Sequence, residues 1–197
     1  MIKLSHIPSL LVGMRFTIAP LLVFDALDHQ TSYWFIIGYV IAVLSDIFDG
    51  IIARRLKVST TQLRQADSWA DICLYLCVAI SAWLVYSQVI INFRLPLLSA
   101  IAIQLILFAI SLIKFQKFPS FHTYTAKAWG LTLLIATVGL FSFSYANTLW
   151  LPIIFCWVNS LEEIAMTLLL PIWQCDVLSI FHAVKLREAL MLETTRT

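Results

Sequence analysis

The chain has 197 residues, 61% of them hydrophobic and only 12% charged, with a mean hydropathy of +0.91. Soluble domains carry roughly 25% charged residues, so the composition points to an integral membrane protein with no room for a sizeable water-soluble domain. A net charge of +2 is too small to argue for a nucleic-acid partner, and Cys73, Cys77, Cys156 and Cys175 lack the spacing of a zinc finger.

Apolar runs long enough to cross a ~30 Å hydrocarbon core recur six times, at 7–27, 32–56, 63–92, 96–114, 127–146 and 149–173. The expected fold is all-α: a polytopic membrane protein of six transmembrane helices. The first run has no small-residue cleavage site and reads as a span rather than a removable signal. It contains Pro8 and Pro20, and Pro20 is a potential kink. About three turns in lies Arg15, a partly buried cation whose partner is either a phosphate or an acid elsewhere in the fold. Runs two and three exceed what the hydrocarbon core requires and are expected to protrude, joined by a short polar loop from Lys57 to Gln62. Run five opens with FHTYTAKAWG, which places His122, Tyr124 and Lys127 near one membrane surface. Run six contains Glu162 and Glu163, costly as ionised groups in an apolar segment, with Asn159 one turn before them. Residues 1–173 are therefore expected to form one membrane domain. Residues 174–197 are a cytoplasmic tail, either an amphipathic helix on the membrane face or disordered.

Placing Lys3, the 54–64 loop, Lys114, Lys117, Lys127 and the tail on one side collects nearly all of the 13 Lys and Arg. By the positive-inside rule that side is cytoplasmic, and it holds both termini. In a bacterium the membrane would be the cell inner membrane.

The same side carries the densest acidic block of the chain: Asp46, Asp49, Asp67 and Asp71. On a helix, Asp46, Asp49, Gly50, Ala53 and Arg54 follow the i, i+3, i+4, i+7, i+8 rhythm of one face, and Asp67 and Asp71 are i, i+4 on the next helix. The intervening loop would turn the two faces toward each other. Two carboxylates about 5 Å apart repel by roughly 3 kcal/mol at an effective dielectric near 20, so four together take up protons or bind cations. Hard oxygen donors without a matching His or Cys set favour Mg²⁺, Mn²⁺ or Ca²⁺ over zinc. Carboxylate-held Mg²⁺ usually serves a phosphate-bearing substrate. The plainer alternative is four aspartates solvated at helix ends and paired with Arg54, Arg55, Lys57 and Arg64.

This block resembles the signature of the CDP-alcohol phosphatidyltransferase family, Asp-x2-Asp-Gly-x2-Ala-Arg-x8-Gly-x3-Asp-x3-Asp. Asp46, Asp49, Gly50, Ala53, Arg54, Asp67 and Asp71 keep every spacing, and Leu63 stands in place of the second glycine. The opening HIPSLLVGMRFTIAPLLVF is similar to helix one of phosphatidylglycerophosphate synthases, with His6 and Val12 where those have Asn and Thr. The resemblance implies a membrane enzyme that transfers a phosphatidyl group from a CDP-linked lipid, CDP-diacylglycerol, to a small alcohol and releases CMP. Glycerol 3-phosphate is the leading acceptor. It further implies Mg²⁺ or Mn²⁺ held by Asp46, Asp49 and Asp67 with Asp71 adjoining, Asp71 as the catalytic base, and Gly50, Ala53 and Arg54 against the CDP moiety. Membrane lipids and a second copy of the chain are the other expected partners. Lys127 and His122 are candidates for holding an acceptor phosphate; their alternative is a basic, interfacial anchor beside Tyr124.

Three departures from the pattern bear on the substrate. Leu63 puts a branched side chain where the nucleotide approaches, which leaves open an altered donor, a shifted backbone or a silent CDP-lipid-binding homologue. Ile72 stands where many glycerophosphate-type members have Lys, and Ser68 where proline usually follows the aspartate. A cation-binding transporter is the reading from another class. It needs neither Arg54 nor small residues at positions 50 and 53.

Overall fold

The computed structural model describes residues 7–56, 61–121 and 123–194, and within them all side chains except those at 50, 51, 53–56, 61, 62, 64, 65, 68 and 192–194. Among the described residues there are seven α-helices and no strand. They are α1 (Ile7–Asp25), α2 (Tyr33–Leu56), α3 (Thr61–Asn92), α4 (Arg94–Phe115), α5 (Tyr124–Phe143), α6 (Trp150–Leu169) and α7 (Ile180–Thr194), with a 3₁₀ turn at Ala146–Leu149. Five stretches among these residues are long and apolar enough to cross a membrane: Ile7–Asp25, Trp69–Asn92, Arg94–Phe115, Tyr124–Phe143 and Ala146–Leu169. Helix α2, which carries the first two aspartates, is not one of the five. The chain divides into two compact units, Met1–Asn92 and Phe93–Thr197.

In the first unit α1 is the helix on which both α2 and α3 pack. Its buried residues are Pro8, Val12, Arg15, Ala19 and Leu22, alternating steps of four and three that keep one stripe facing its neighbours. Phe35, Tyr39, Ala42, Ser45 and Asp49 form the corresponding stripe of α2, and Ala70, Leu74, Val78 and Ser81 that of α3. Small residues recur along all three seams. They allow close backbone approach, which matters where lipid tails remove the hydrophobic drive for helices to associate. The buried hydroxyls are satisfied nearby: Ser45 donates to Ala42 O at 2.7 Å and Ser81 to Cys77 O at 2.9 Å. Pro20 lies inside α1 without ending it, and α3 bends at Tyr86, whose φ of −122° and ψ of 38° are not helical. At 32 residues, α3 is about 48 Å long at 1.5 Å per residue. Its apolar stretch begins only at Trp69, so the turns holding Asp67 precede the membrane-crossing part, as the length of run three led one to expect.

In the second unit α6 is central, packing against α4, α5 and α7. Its buried face runs Pro152, Ile153, Cys156, Asn159, Ser160, Glu163, Met166 and Thr167, the helical period with a polar segment in the middle. Lys114 donates to the terminal carbonyls Thr167 O and Leu168 O at 3.0 and 2.8 Å, a cation placed at the negative end of the helix. The segment after α6 closes on an apolar cluster of Phe121, Met166, Leu170, Val177 and Ala183. It then continues as helix α7, which runs to Thr194.

Candidate active site

The site grows from the seam of α1. A cation in an apolar helix is tolerated only with a counter-charge in reach, and the stripe that buries Val12 and Ala19 necessarily points Arg15 at α2 and α3. There it meets all four aspartates. Arg15 Nη1 donates to Asp46 Oδ1 at 2.7 Å and to Asp71 Oδ1, and Nη2 donates to Asp67 Oδ1 at 2.5 Å and to Asp49 Oδ2. Each terminal nitrogen thus ties one carboxylate of α2 to one of α3. The side chain of Arg15 is 0% exposed and that of Asp49 5%, whereas Asp46, Asp67 and Asp71 are 41%, 37% and 35% exposed. The cluster is therefore closed at Asp49 and open to an approaching ligand along the other three.

The geometry agrees with the expectation that two helices turn four carboxylates toward one another; the alternative pairing with Arg54, Arg55, Lys57 and Arg64 falls on side chains outside the described set. The open question over Arg15 is answered as well: its partners are acids, and they are these acids. The sequence reading left Arg15 out of the candidate site. The signal was present, since a lone arginine on the buried stripe of an apolar helix requires negative charge, and the acidic block is where the chain concentrates it.

Carboxylate oxygens of Asp46, Asp49 and Asp67 lie within 4.8 Å of one another. Ligands on opposite sides of a Mg²⁺ ion sit about 4.2 Å apart at metal–oxygen distances near 2.1 Å. The donors therefore fit a divalent ion with small side-chain rotations, and the guanidinium already held by all four carboxylates marks their common space as a cation position. The donor set is oxygen only, which suits Mg²⁺ or Mn²⁺ rather than a thiolate or imidazole metal.

The other candidates divide. Gly50, Ala53 and Arg54 belong to the last turns of α2, and their side chains lie outside the described set. Leu63 is half-buried in the first turn of α3, four residues before Asp67 and so on the same helix face. His122 lies outside the described residues. Lys127 is exposed in the second unit, its Nζ 5.5 Å from the centre of the Tyr124 ring.

Glu162 and Glu163 lie in the C-terminal half of α6. α6 ends at Leu169, two turns beyond them. The Glu162 carboxylate accepts from Thr125 Oγ1 at 2.6 Å and from the backbone N–H of Ile180 at 3.1 Å. Asn159 Oδ1 accepts from Thr123 Oγ1 at 2.8 Å and lies 2.9 Å from Thr125 Oγ1, while Thr123 caps α5 by accepting from Ala126 N at 3.1 Å. The polar seam foreseen between Asn159 and the glutamates joins α5, α6 and the start of α7.

Comparison with known proteins adds one finding. No curated protein and no solved structure matches the chain. A family model described as CDP-alcohol phosphatidyltransferase matches residues 5–173, a span running from α1 through α6 and including Arg15 and both aspartate pairs. With most of its length matched and the four carboxylates gathered as that chemistry needs, the chain belongs to the CDP-alcohol phosphatidyltransferase family, membrane-embedded transferases of phospholipid biosynthesis that move a phosphatidyl group from a CDP-alcohol to an alcohol.

Proposed function

We propose that the protein transfers the phosphatidyl group of CDP-diacylglycerol to glycerol 3-phosphate and releases CMP, with the reaction centre at the cytoplasmic face of a six-span fold. The observation that carries this reading is the convergence of Asp46, Asp49, Asp67 and Asp71 on one cation. The cytoplasmic placement is supported by the clustering of Lys and Arg beside the aspartate helices, and the acceptor by the similarity of helix one to phosphatidylglycerophosphate synthases.

Asp46, Asp49 and Asp67 would hold Mg²⁺ or Mn²⁺, with Asp71 adjoining. When bound, the ion neutralises the diphosphate and the charge that develops on departing CMP. Gly50 and Ala53 let the nucleotide approach the helix backbone, and Arg54 offers paired donors to phosphate oxygens. Asp71, one turn after Asp67 and a third exposed, takes the proton of the acceptor hydroxyl. The acceptor oxygen bonds to the β-phosphorus, the bond from that phosphorus to the bridging oxygen breaks, and CMP leaves with the bond pair. One substrate is a lipid and the other water-soluble, so a cluster at the start of the apolar part of α3, with Asp67 just before Trp69 and Asp71 just after it, suits both.

Purified protein given CDP-diacylglycerol, Mg²⁺ or Mn²⁺ and a panel of glycerol 3-phosphate, serine, inositol and inositol phosphate tests the reading through CMP release. Product with glycerol 3-phosphate alone, lost in Asp71→Asn, is the expected result. Turnover that persists without divalent metal would defeat the mechanism, and a different preferred acceptor would defeat the substrate assignment. A silent, CDP-lipid-binding homologue is the second reading, favoured by Leu63 on the face of α3 that leads to Asp67.

A further inference from the structure

Four carboxylates gathered from two helices must take up protons or bind a cation, and in this chain a cation is supplied covalently. Arg15 comes from α1, the helix that both α2 and α3 pack on. Its Nη1 spans Asp46 and Asp71, and its Nη2 spans Asp49 and Asp67. A single positive charge cannot balance four ionised carboxylates. The fit is also incomplete on the arginine's side, because the buried Nε has no hydrogen-bond partner among the described residues although it is a donor that ordinarily requires one. A guanidinium that spends all its bonds through two nitrogens and leaves the third unpaired fills the space without being well matched to it. A divalent ion would seek oxygens of the same carboxylates.

We propose that Arg15 is a tethered counter-ion: it holds the four-aspartate pocket together in the metal-free protein, and an incoming divalent cation displaces it from part of its carboxylate contacts. Arg15 and the metal are then negatively coupled ligands of one site. Because coupling is reciprocal, the arginine that stabilises the empty pocket must also weaken its affinity for metal. The pocket is in this way kept assembled before metal arrives, while the ion stays exchangeable. The inference rests on the reading that the aspartates hold a divalent ion. It adds the role of a residue that contributes no ligand atom and acts through the carboxylates, a positioning residue rather than a catalytic one.

Mn²⁺ binding tests this without reference to turnover. Wild type, Arg15→Gln and Arg15→Lys are compared in phosphatidylcholine nanodiscs, by electron paramagnetic resonance of free Mn²⁺ and by thermal unfolding with EDTA or Mn²⁺. Arg15→Gln should bind Mn²⁺ roughly tenfold tighter or more, within the usual range of coupling between two ligands. It should also unfold at a lower temperature than wild type in EDTA and recover in Mn²⁺. Arg15→Lys, which keeps the charge, should lie near wild type in affinity. Equal or weaker Mn²⁺ binding by Arg15→Gln overturns the proposal while leaving the metal site standing. Mn²⁺ binding by neither protein overturns the metal reading and this inference with it. Should Arg15→Gln fold only when produced in Mn²⁺, the metal has replaced the guanidinium, as proposed. If it folds under neither condition, the metal cannot take that place and the proposal fails.

Discussion

Arg15 of α1 and Asp49 of α2 form the closed end of the site, an ion pair whose side chains are 0% and 5% exposed, whereas the other three carboxylates face outward. Desolvating two charges is costly unless their geometry and remaining hydrogen bonds offset it. Here the guanidinium regains its losses by bonding three further carboxylates. The arrangement separates a closed inner pair from three partly exposed carboxylates.

Asp71→Asn should separate proton removal from metal holding. With Asp46, Asp49 and Asp67 intact, Mn²⁺ binding should persist, while CMP release falls about 10²- to 10⁴-fold, the usual contribution of a general base. EDTA should abolish CMP release by wild type, and added Mg²⁺ or Mn²⁺ should restore it. Comparable loss of Mn²⁺ binding and turnover in Asp71→Asn would make that residue chiefly a ligand.

Asp46→Asn should trade function against stability. Asp46 is the most exposed carboxylate of the four, and four negative charges surround one arginine. Removing a charge relieves repulsion while the amide oxygen still accepts from Nη1. The unfolding temperature in EDTA should be unchanged or higher, and Mn²⁺ affinity should fall by about tenfold or more, the loss of one charged ligand being worth at least ~1.4 kcal/mol. A marked loss of metal-free stability would show that this carboxylate serves the fold.

Leu63→Gly should lower the KM for the CDP-lipid several-fold if the branched side chain crowds the nucleotide. Glycine within a helix costs about 1 kcal/mol, so the thermal midpoint should drop even as the kinetics improve. Appearance of CMP release only in Leu63→Gly would assign the natural chain to the silent reading.

Glu162→Ala should loosen the end of the chain without disturbing the aspartates. It removes the acceptor for Ile180 N, and losing a helix cap costs ~1 kcal/mol. Faster hydrogen exchange at the first amides of α7, with Mn²⁺ affinity unchanged, is the expected pattern. Unaltered exchange there would remove the capping role.

Gly139→Ala should destabilise the second unit by about 1–3 kcal/mol, because a Cβ there would lie 2.6 Å from Thr148 Cγ2 and 2.9 Å from its Oγ1. The double substitution Gly139→Ala/Thr148→Ala removes the obstructing atoms and should regain much of the loss in a thermal denaturation series.

Much of this protein follows from local spacing. A composition that leaves only 12% of residues charged commits the chain to the membrane, where backbone groups can be satisfied only within helices or closed barrels. Runs with helical rather than alternating period then select helices. The i, i+3 and i, i+4 placement of Asp46, Asp49, Asp67 and Asp71 fixes which faces of two consecutive helices are acidic, and the family resemblance rests on the same intervals. What spacing could not supply was the identity of partners distant along the chain. Arg15 lies 31 to 56 residues from the aspartates it binds, and Glu162 lies 18 residues from the amide it caps. An apolar stripe states that a residue is buried but not against which helix. Only the packing of α2 and α3 on α1, and of α7 on α6, decided those pairings, because they follow from which surfaces exclude lipid together.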